Sequence, residues 1–359
     1  MSAVTVDPMQ SAPAPSQPPS IFPLDQWYVA ALGWELKDKP VARTLLGHSV
    51  VLFRTADGQA AALEDRCCHR ALPLSQGTLD AGGIRCGYHG LLFNSQGECI
   101  EIPGQAKIPS KARVQPFTVC ERDQIVWIWF ASAAGGAPTT EPPAYDVHSN
   151  GQYLFEGDVY HYDAPYQLIH DNLLDLSHLG YVHLQTIGGD AKTHMNAKMT
   201  VESEGDTVRV VRHMLDSIPP PTYVAAYPFT GRVDRWQEIE FHVNHLRIWT
   251  GALDAGSEPV DSQNRGGFHM RGFHGVTPET ESSSHYFWTI ATNPKSNAEA
   301  VKEKVVEQTR LTFDEDKVVI EAQYRNMCRF PNRGMVDIHV DVGANRARRI
   351  VDRLRHPAS

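Results

Sequence analysis

The chain has 359 residues, 42% of them hydrophobic and 21% charged, which exceeds one average domain and makes two domains the first expectation. Its formal charge of −9 argues against a nucleic-acid surface, because neutralising phosphates takes clustered Lys and Arg. Cysteines at 67, 68, 86, 99, 120 and 328 are too few and too uneven for a disulfide framework; with no signal-like start and no apolar run near the roughly 18 to 20 residues that cross a bilayer, a cytoplasmic protein without membrane contact is expected.

Residues 1–20 scatter Pro8, Pro13, Pro15, Pro18 and Pro19 among Ser, Ala and Gln, a composition that predicts a disordered tail. From Trp27 the text turns to short β-like runs, such as 49–53 and 59–63, divided by Gly and Asp turns and ending in a buried strand at 125–130 (IVWIWF). Residues 131–143 (ASAAGGAPTTEPP) read as a linker, so one domain is expected over 21–140 and a second over 141–359. In the second, helical periodicity at 166–182 precedes strand-like stretches at 207–214, 236–252 and 284–291 and a long helix over about 297–327. The fold class is therefore α+β.

Cys67-x-His69 and Cys86-x2-His89 stand sixteen residues apart, each pair in a tight loop beside glycine. Two thiolates can hold one iron of a [2Fe-2S] cluster while two neutral imidazoles hold the other, which raises the potential above that of an all-cysteine cluster. Two Cys and two His also satisfy tetrahedral zinc, but zinc fingers segregate the two residue types whereas each loop here offers one of each. Cys68 breaks the one-residue gap to a histidine and reads as a spectator.

A second constellation lies in 170–183 (HDNLLDLSHLGYVH), where Asp175 and His178, three apart, would share a helix face and His183 would follow at its end. Two histidines and one carboxylate leave open positions on Fe(II). Along the late helix the apolar stripe Val305, Phe313, Val319 and Ile320 includes Asp316, while Asp314, Glu315, Lys317 and Glu321 fall largely elsewhere. A carboxylate on that stripe either binds a metal or pairs with a cation such as Arg325.

With both constellations in this order, the sequence resembles the oxygenase components of Rieske non-haem iron oxygenases, and within them the short members that include vanillate and dicamba O-demethylases, toluenesulfonate methyl-monooxygenase and phenoxybenzoate dioxygenase. The likeness runs from Trp27 to Arg355 through EDRCCHRALPL (64–74), CGYHGLLF (86–93), IPGQ (102–105), the segment 171–183, TPETESSSHYFW (277–288) and FDEDKVVIEAQ (313–323). It implies a Rieske [2Fe-2S] domain of all-β type, followed by a helix-grip domain with a curved antiparallel sheet. It further implies a cluster on Cys67, His69, Cys86 and His89, one Fe(II) on His178, His183 and Asp316, and O2 as co-substrate. NADH is expected to deliver electrons through a separate flavin and plant-type ferredoxin reductase, and the oxygenase is expected to be a head-to-tail homotrimer. In such a trimer Asp175 would couple the centres, one oxygen accepting from an iron-bound imidazole and the other reaching His69 or His89 of a neighbouring subunit.

The expected reaction is hydroxylation or O-demethylation of an aromatic carboxylate or sulfonate, methyl hydroxylation of an ether giving a hemiacetal that collapses to phenol and formaldehyde. A ring dioxygenase with the same metals is the alternative. A pure Rieske electron-transfer protein is a third reading, which leaves His178, His183 and Asp316 without a role. An anionic substrate needs local donors: the resemblance points to His274, and His242 on a neighbouring strand is expected to face the same pocket.

Overall fold

The computed structural model describes residues 21–133, 135–293 and 298–356, so the tail expected at 1–20 lies outside the described residues. Strands that are rich in Val, Ile, Leu and Trp build four antiparallel sheets. Three use residues up to Phe130. One joins Gln26–Leu32, Ile125–Phe130 and Val119–Arg122; the other two are small, four-stranded, and carry the Cys67 and Cys86 loops at their ends. The fourth has seven strands in the order Leu154–Tyr162, Ser284–Thr292, Phe268–Pro278, His245–Asp254, Val233–His242, Thr207–Ser217 and Lys198–Glu204. Among the described residues no helix is long and apolar enough to cross a membrane.

Because side chains alternate along a strand, register divides this sheet into two faces. Phe241, Leu246, His274 and Trp288 form one cross-strand row on one face, with Ile239, Ile248, Gly272 and Ile290 in the next row. That face packs against the helices Tyr166–Leu174, Ala298–Arg329 and Val342–Arg355; Trp288 meets Phe313 of the long helix edge-on at 5.2 Å. The opposite face, with Phe273 and Phe287, packs on Trp27, Val29 and Trp127 of the three-stranded sheet. Thr277 ties the layers by donating to the Val29 carbonyl at 2.8 Å, and the Asn244 amide donates to the Trp27 carbonyl. The sheet is thus covered by the N-terminal region on one side and by helices on the other.

Two expected elements are divided. The run 236–252 is a hairpin, Val233–His242 and His245–Asp254, turning at Val243 and Asn244 where no Gly or Pro marks the turn. The helix expected over 166–182 stops at Leu174, because Asp175 takes extended angles (φ −117°, ψ 94°); a 3-10 turn at Leu176–His178 and a short helix at Leu179–Val182 follow. The long helix runs from Ala298 to Arg329, close to its expected span.

The second half buries several imidazoles in apolar surroundings. Burial pushes His170, His194 and His274 down to about 3, and His148 and His285 down to about 4. Each would take up its proton near the ordinary histidine value of about 6.5 once unfolded, so between those limits the unfolded chain binds more protons than the fold. Stability is therefore complete above about pH 6.5 and is lost as pH falls toward 4, each such group contributing up to about 1.4 kcal/mol per unit. Thermal melts should shift to markedly lower temperature between pH 6.5 and 5; an unchanged melting temperature across that range contradicts the neutral, buried state of these rings.

Candidate metal centres

The break at Asp175 is what arranges the second constellation. Its carboxylate accepts from the Ser177 N–H at 2.8 Å and so caps the 3-10 turn that carries His178. The short helix that follows ends at His183, whose ring lies 5.2 Å from that of His178 between centroids. From the long helix Asp316 brings one oxygen to 3.4 Å from His178 Nε2 and 3.1 Å from His183 Nε2. One donor atom from each of the three residues falls within 4.8 Å of the others. Asn172 completes the group by donating to Asp316 Oδ1 at 2.9 Å.

Both imidazoles are oriented from behind. His178 Nδ1 lies 2.6 Å from the Asp175 carbonyl oxygen and His183 Nδ1 lies 2.7 Å from Glu315 Oε2, contacts that turn each Nε2 toward Asp316, where it donates to the carboxylate when protonated and can ligate a metal when it is not. Burial alone would push the Asp316 carboxyl up, but the two imidazoles outweigh it and hold the group well below the usual carboxylate range. Burial likewise works against a charge on His183, and Asp316 with Glu315 pulls it above its ordinary value. Two imidazole nitrogens and one carboxylate oxygen, with charge in need of compensation and one side open, fit a divalent iron of the facial-triad kind.

That open side is a largely apolar cavity, walled by Leu173, Ile248, Met270, Ile290 and Phe313. His274 is in its lining. Its Nδ1 is 2.7 Å from the Tyr286 hydroxyl, and its ring lies over Gly272, where an added Cβ would come within 2.5 Å of Nε2. His242 does not join it. Strand parity puts His242 opposite His245, on the face turned away from the helices, where it stacks on His245 at 4.6 Å and contacts Glu240 at 2.7 Å. The expectation that it faces the cavity is corrected by that alternation.

Asp175 also departs from expectation. It shares no helix face with His178, and it is the backbone oxygen, not the carboxylate, that meets the imidazole. The carboxylate instead borders a surface depression with His178, Val182, Val336 and Arg348. Glu315 escaped notice because it sits beside the apolar stripe rather than on it, yet it is the partner of His183. An acid next to a ligand-bearing stripe position was the available signal.

The two N-terminal loops share one backbone scheme. Cys67 N–H donates to Leu72 O and Ala71 N–H to Cys67 O; Cys86 N–H donates to Leu91 O and Gly90 N–H to Cys86 O. Ala71 (φ 58°) and Gly90 (φ 74°) both sit in the left-handed region that closes such a turn. Cys67 and Cys86 are buried, 2% and 3% exposed, whereas His69 and His89 are exposed with ring centroids 4.5 Å apart. Burial above all, with the Cys86 sulfur adding, pushes the Cys67 thiol up to about 11, a cost that a bound iron would remove by displacing the proton. A cysteine pair inside and a histidine pair outside suit a two-iron cluster with one iron of each kind. Cys68 is half-buried against the same apolar group as a packing residue.

A chain with a mixed cysteine–histidine loop pair and a separate histidine–carboxylate site has the parts of an iron-dependent oxidoreductase, and comparison with known proteins gives the family. Residues 26–114 match the Rieske [2Fe-2S] domain and residues 162–356 the vanillate O-demethylase oxygenase C-terminal domain. The toluene-4-sulfonate monooxygenase system iron-sulfur subunit of Comamonas testosteroni is 36% identical, over 91% of this chain and 95% of that protein. The vanillate O-demethylase oxygenase subunit of a Pseudomonas species is 33% identical, over 93% and 95% respectively. The crystal structure of dicamba monooxygenase bound to 3,6-dichlorosalicylic acid superimposes with a TM-score of 0.84 at 31% identity, covering 92% of this chain and 97% of that one. The chain belongs to the Rieske non-haem iron oxygenases, as an oxygenase component of the vanillate O-demethylase group. It is a monooxygenase-type oxidoreductase that uses a Rieske [2Fe-2S] cluster and a mononuclear iron.

Outer carboxylates that orient a metal-bound imidazole are typically worth 10- to 100-fold in metal affinity. Glu315→Gln should weaken retention of the mononuclear iron by roughly that factor while the cluster's absorbance and the fold are kept. Equal iron retention against a competing chelator would remove Glu315 from the site.

Proposed function

We propose that the chain hydroxylates or O-demethylates an aromatic carboxylate or sulfonate, and the observation that carries this reading is the apolar cavity opening on His178, His183 and Asp316. The site assignments follow the expectations above: Cys67, His69, Cys86 and His89 hold the cluster, and His178, His183 and Asp316 hold the iron, with the boundary between the two domains near residue 140. When bound, the cluster supplies single electrons and the iron supplies the place where dioxygen is reduced. The cavity walls orient the ring and exclude water, and Asn172 steadies the Asp316 oxygen that faces the imidazoles. His274 is neutral at working pH, so it offers the substrate a hydrogen bond and no charge.

Electrons reach an oxygenase component from a separate partner; here a flavin and plant-type ferredoxin reductase using NADH is proposed, in the cytoplasm, where cysteines outside disulfides are at home. The exposure of His69 and His89 supports transfer at the surface. The depression beside Asp175 supports a head-to-tail trimer in which Asp175 reaches His69 or His89 of the next subunit while its backbone holds His178. Asp175→Asn tests this. Loss of a cap alone costs about 1 kcal/mol and leaves turnover in place, whereas loss of the bridge leaves a loaded, folded oligomer with turnover reduced at least about 100-fold. Wild-type product formation by that variant contradicts the coupling role.

The reaction itself is tested with aromatic carboxylates and sulfonates, a flavin reductase and labelled dioxygen. One labelled oxygen atom in the product, or formaldehyde from a methoxy substrate, is the expected result. A cis-diol carrying two labelled atoms would instead identify a ring dioxygenase.

A further inference from the structure

Arg235 is a cation that the fold buries at the cavity wall without an anion. It lies on the inward face of the Val233–His242 strand, 2% exposed, beside Tyr223, whose ring centroid is 5.3 Å from its guanidinium carbon. Nη1 donates to Gly188 O at 3.2 Å and comes to 3.5 Å of His194 Nε2, and Nη2 donates to Ile187 O at 3.2 Å. Nε is buried and has no partner. Of the other buried guanidiniums, Arg265 pairs with Glu238, whereas Arg212 donates to Gln237 Oε1 and the His194 carbonyl with the charge of Asp175 acting in its favour. For Arg235 only the Tyr223 hydroxyl acts in favour of its charge.

A buried guanidinium held by two carbonyls, an imidazole and an aromatic face, with Nε unmatched, leaves part of its desolvation unanswered, which an anion at the cavity wall would supply. The iron site does not supply it. With Fe(II) seated, its two charges are balanced by Asp316 and Glu315, and the charge of Arg235 is left over. His274 cannot duplicate this role, because it is neutral and sits three register rows from Arg235, about 20 Å of strand. Gly188, whose carbonyl accepts from Nη1, donates its own N–H to the His183 carbonyl at 3.0 Å, so the guanidinium is tied to the segment that follows the iron ligands.

We propose that Arg235 is the anion-binding residue of this cavity, seating the substrate's carboxylate or sulfonate on its guanidinium. The assignment rests on the aromatic-acid reading above and adds the residue that meets the acid group. Planar donors match both anions, and a guanidinium stays charged where an ammonium would give up its proton.

The test is calorimetric binding of 4-toluenesulfonate and 4-methoxybenzoate, each against its neutral amide, to metal-loaded wild type, Arg235→Met and Arg235→Lys, with iron and sulfide content measured for each. Wild type should prefer each anion over its amide by at least about 100-fold, Arg235→Met should lose that preference while binding the amides as before, and Arg235→Lys should keep part of it. If wild type binds both acids with that preference and Arg235→Met keeps it, the assignment of Arg235 is overturned and the aromatic-acid reading stands. If wild type binds neither acid, both fall. Should Arg235→Met not fold, the lysine variant decides: an undiminished preference for 4-toluenesulfonate, despite the shorter, non-planar donor, overturns the assignment.

Discussion

A buried carboxylate organises the catalytic half of this protein. Asp316 lies on the apolar stripe of a 32-residue helix, 5% exposed, and an ionised oxygen there is tolerable only if its charge is met. Two imidazoles and an amide meet it, and each has to be delivered by another element. Helix Tyr166–Leu174 brings Asn172, and the turns after it bring His178 and His183. The helix is pressed onto the sheet by Phe313 against Trp288, so the position of the carboxylate is set by core packing and not by a flexible loop. Breaking any of these contacts would leave a charge inside the fold, which makes the site and the core a single energetic unit.

The N-terminal half solves the opposite problem, since a cluster that takes electrons from a partner has to lie near the surface. The buried cysteines and exposed histidines would divide the task, with sulfur in the dry interior and imidazoles at the rim. The two halves are not independent beads: Trp27, Trp127, Phe273 and Phe287 form one shared core, and Asn244 and Thr277 bond to the backbone of the first strand. The catalytic sheet is thereby fixed from behind by the cluster-bearing region, while its front face stays free for the helices and the cavity.

Much of this was legible in sequence because it is local. The spacing of Cys67, His69, Cys86 and His89 needs only two turns to be read, and the strand at 125–130 and the late helix announce themselves by length and period. Asp316 stood out as an acid on an apolar stripe. Parity across a hairpin was not legible: with Val243 and Asn244 as the turn, nothing in 236–252 signals the reversal that sends His242 to the far face. The Asp175 break was hidden for a related reason, as the leucines around it keep helical spacing although the backbone does not. Glu315 and Arg235 become meaningful only when elements more than a hundred and about fifty residues away, respectively, are brought against them. Inward alternation of Arg235 and Gln237 with Ile239 and Phe241 was nevertheless present in the strand as a sign of polar groups aimed inside.

The central claim is that one chain carries two separate iron centres and that Asp316 belongs to the second alone. Metal analysis of Asp316→Ala against the wild type tests it directly. The wild type should hold three irons and two acid-labile sulfides per chain, by the count of one two-iron cluster and one mononuclear site. The variant should hold two irons and two sulfides, with the cluster's visible spectrum and reduced-state EPR signal unchanged. A variant that keeps the third iron, or that loses the cluster with it while remaining folded, would contradict the account.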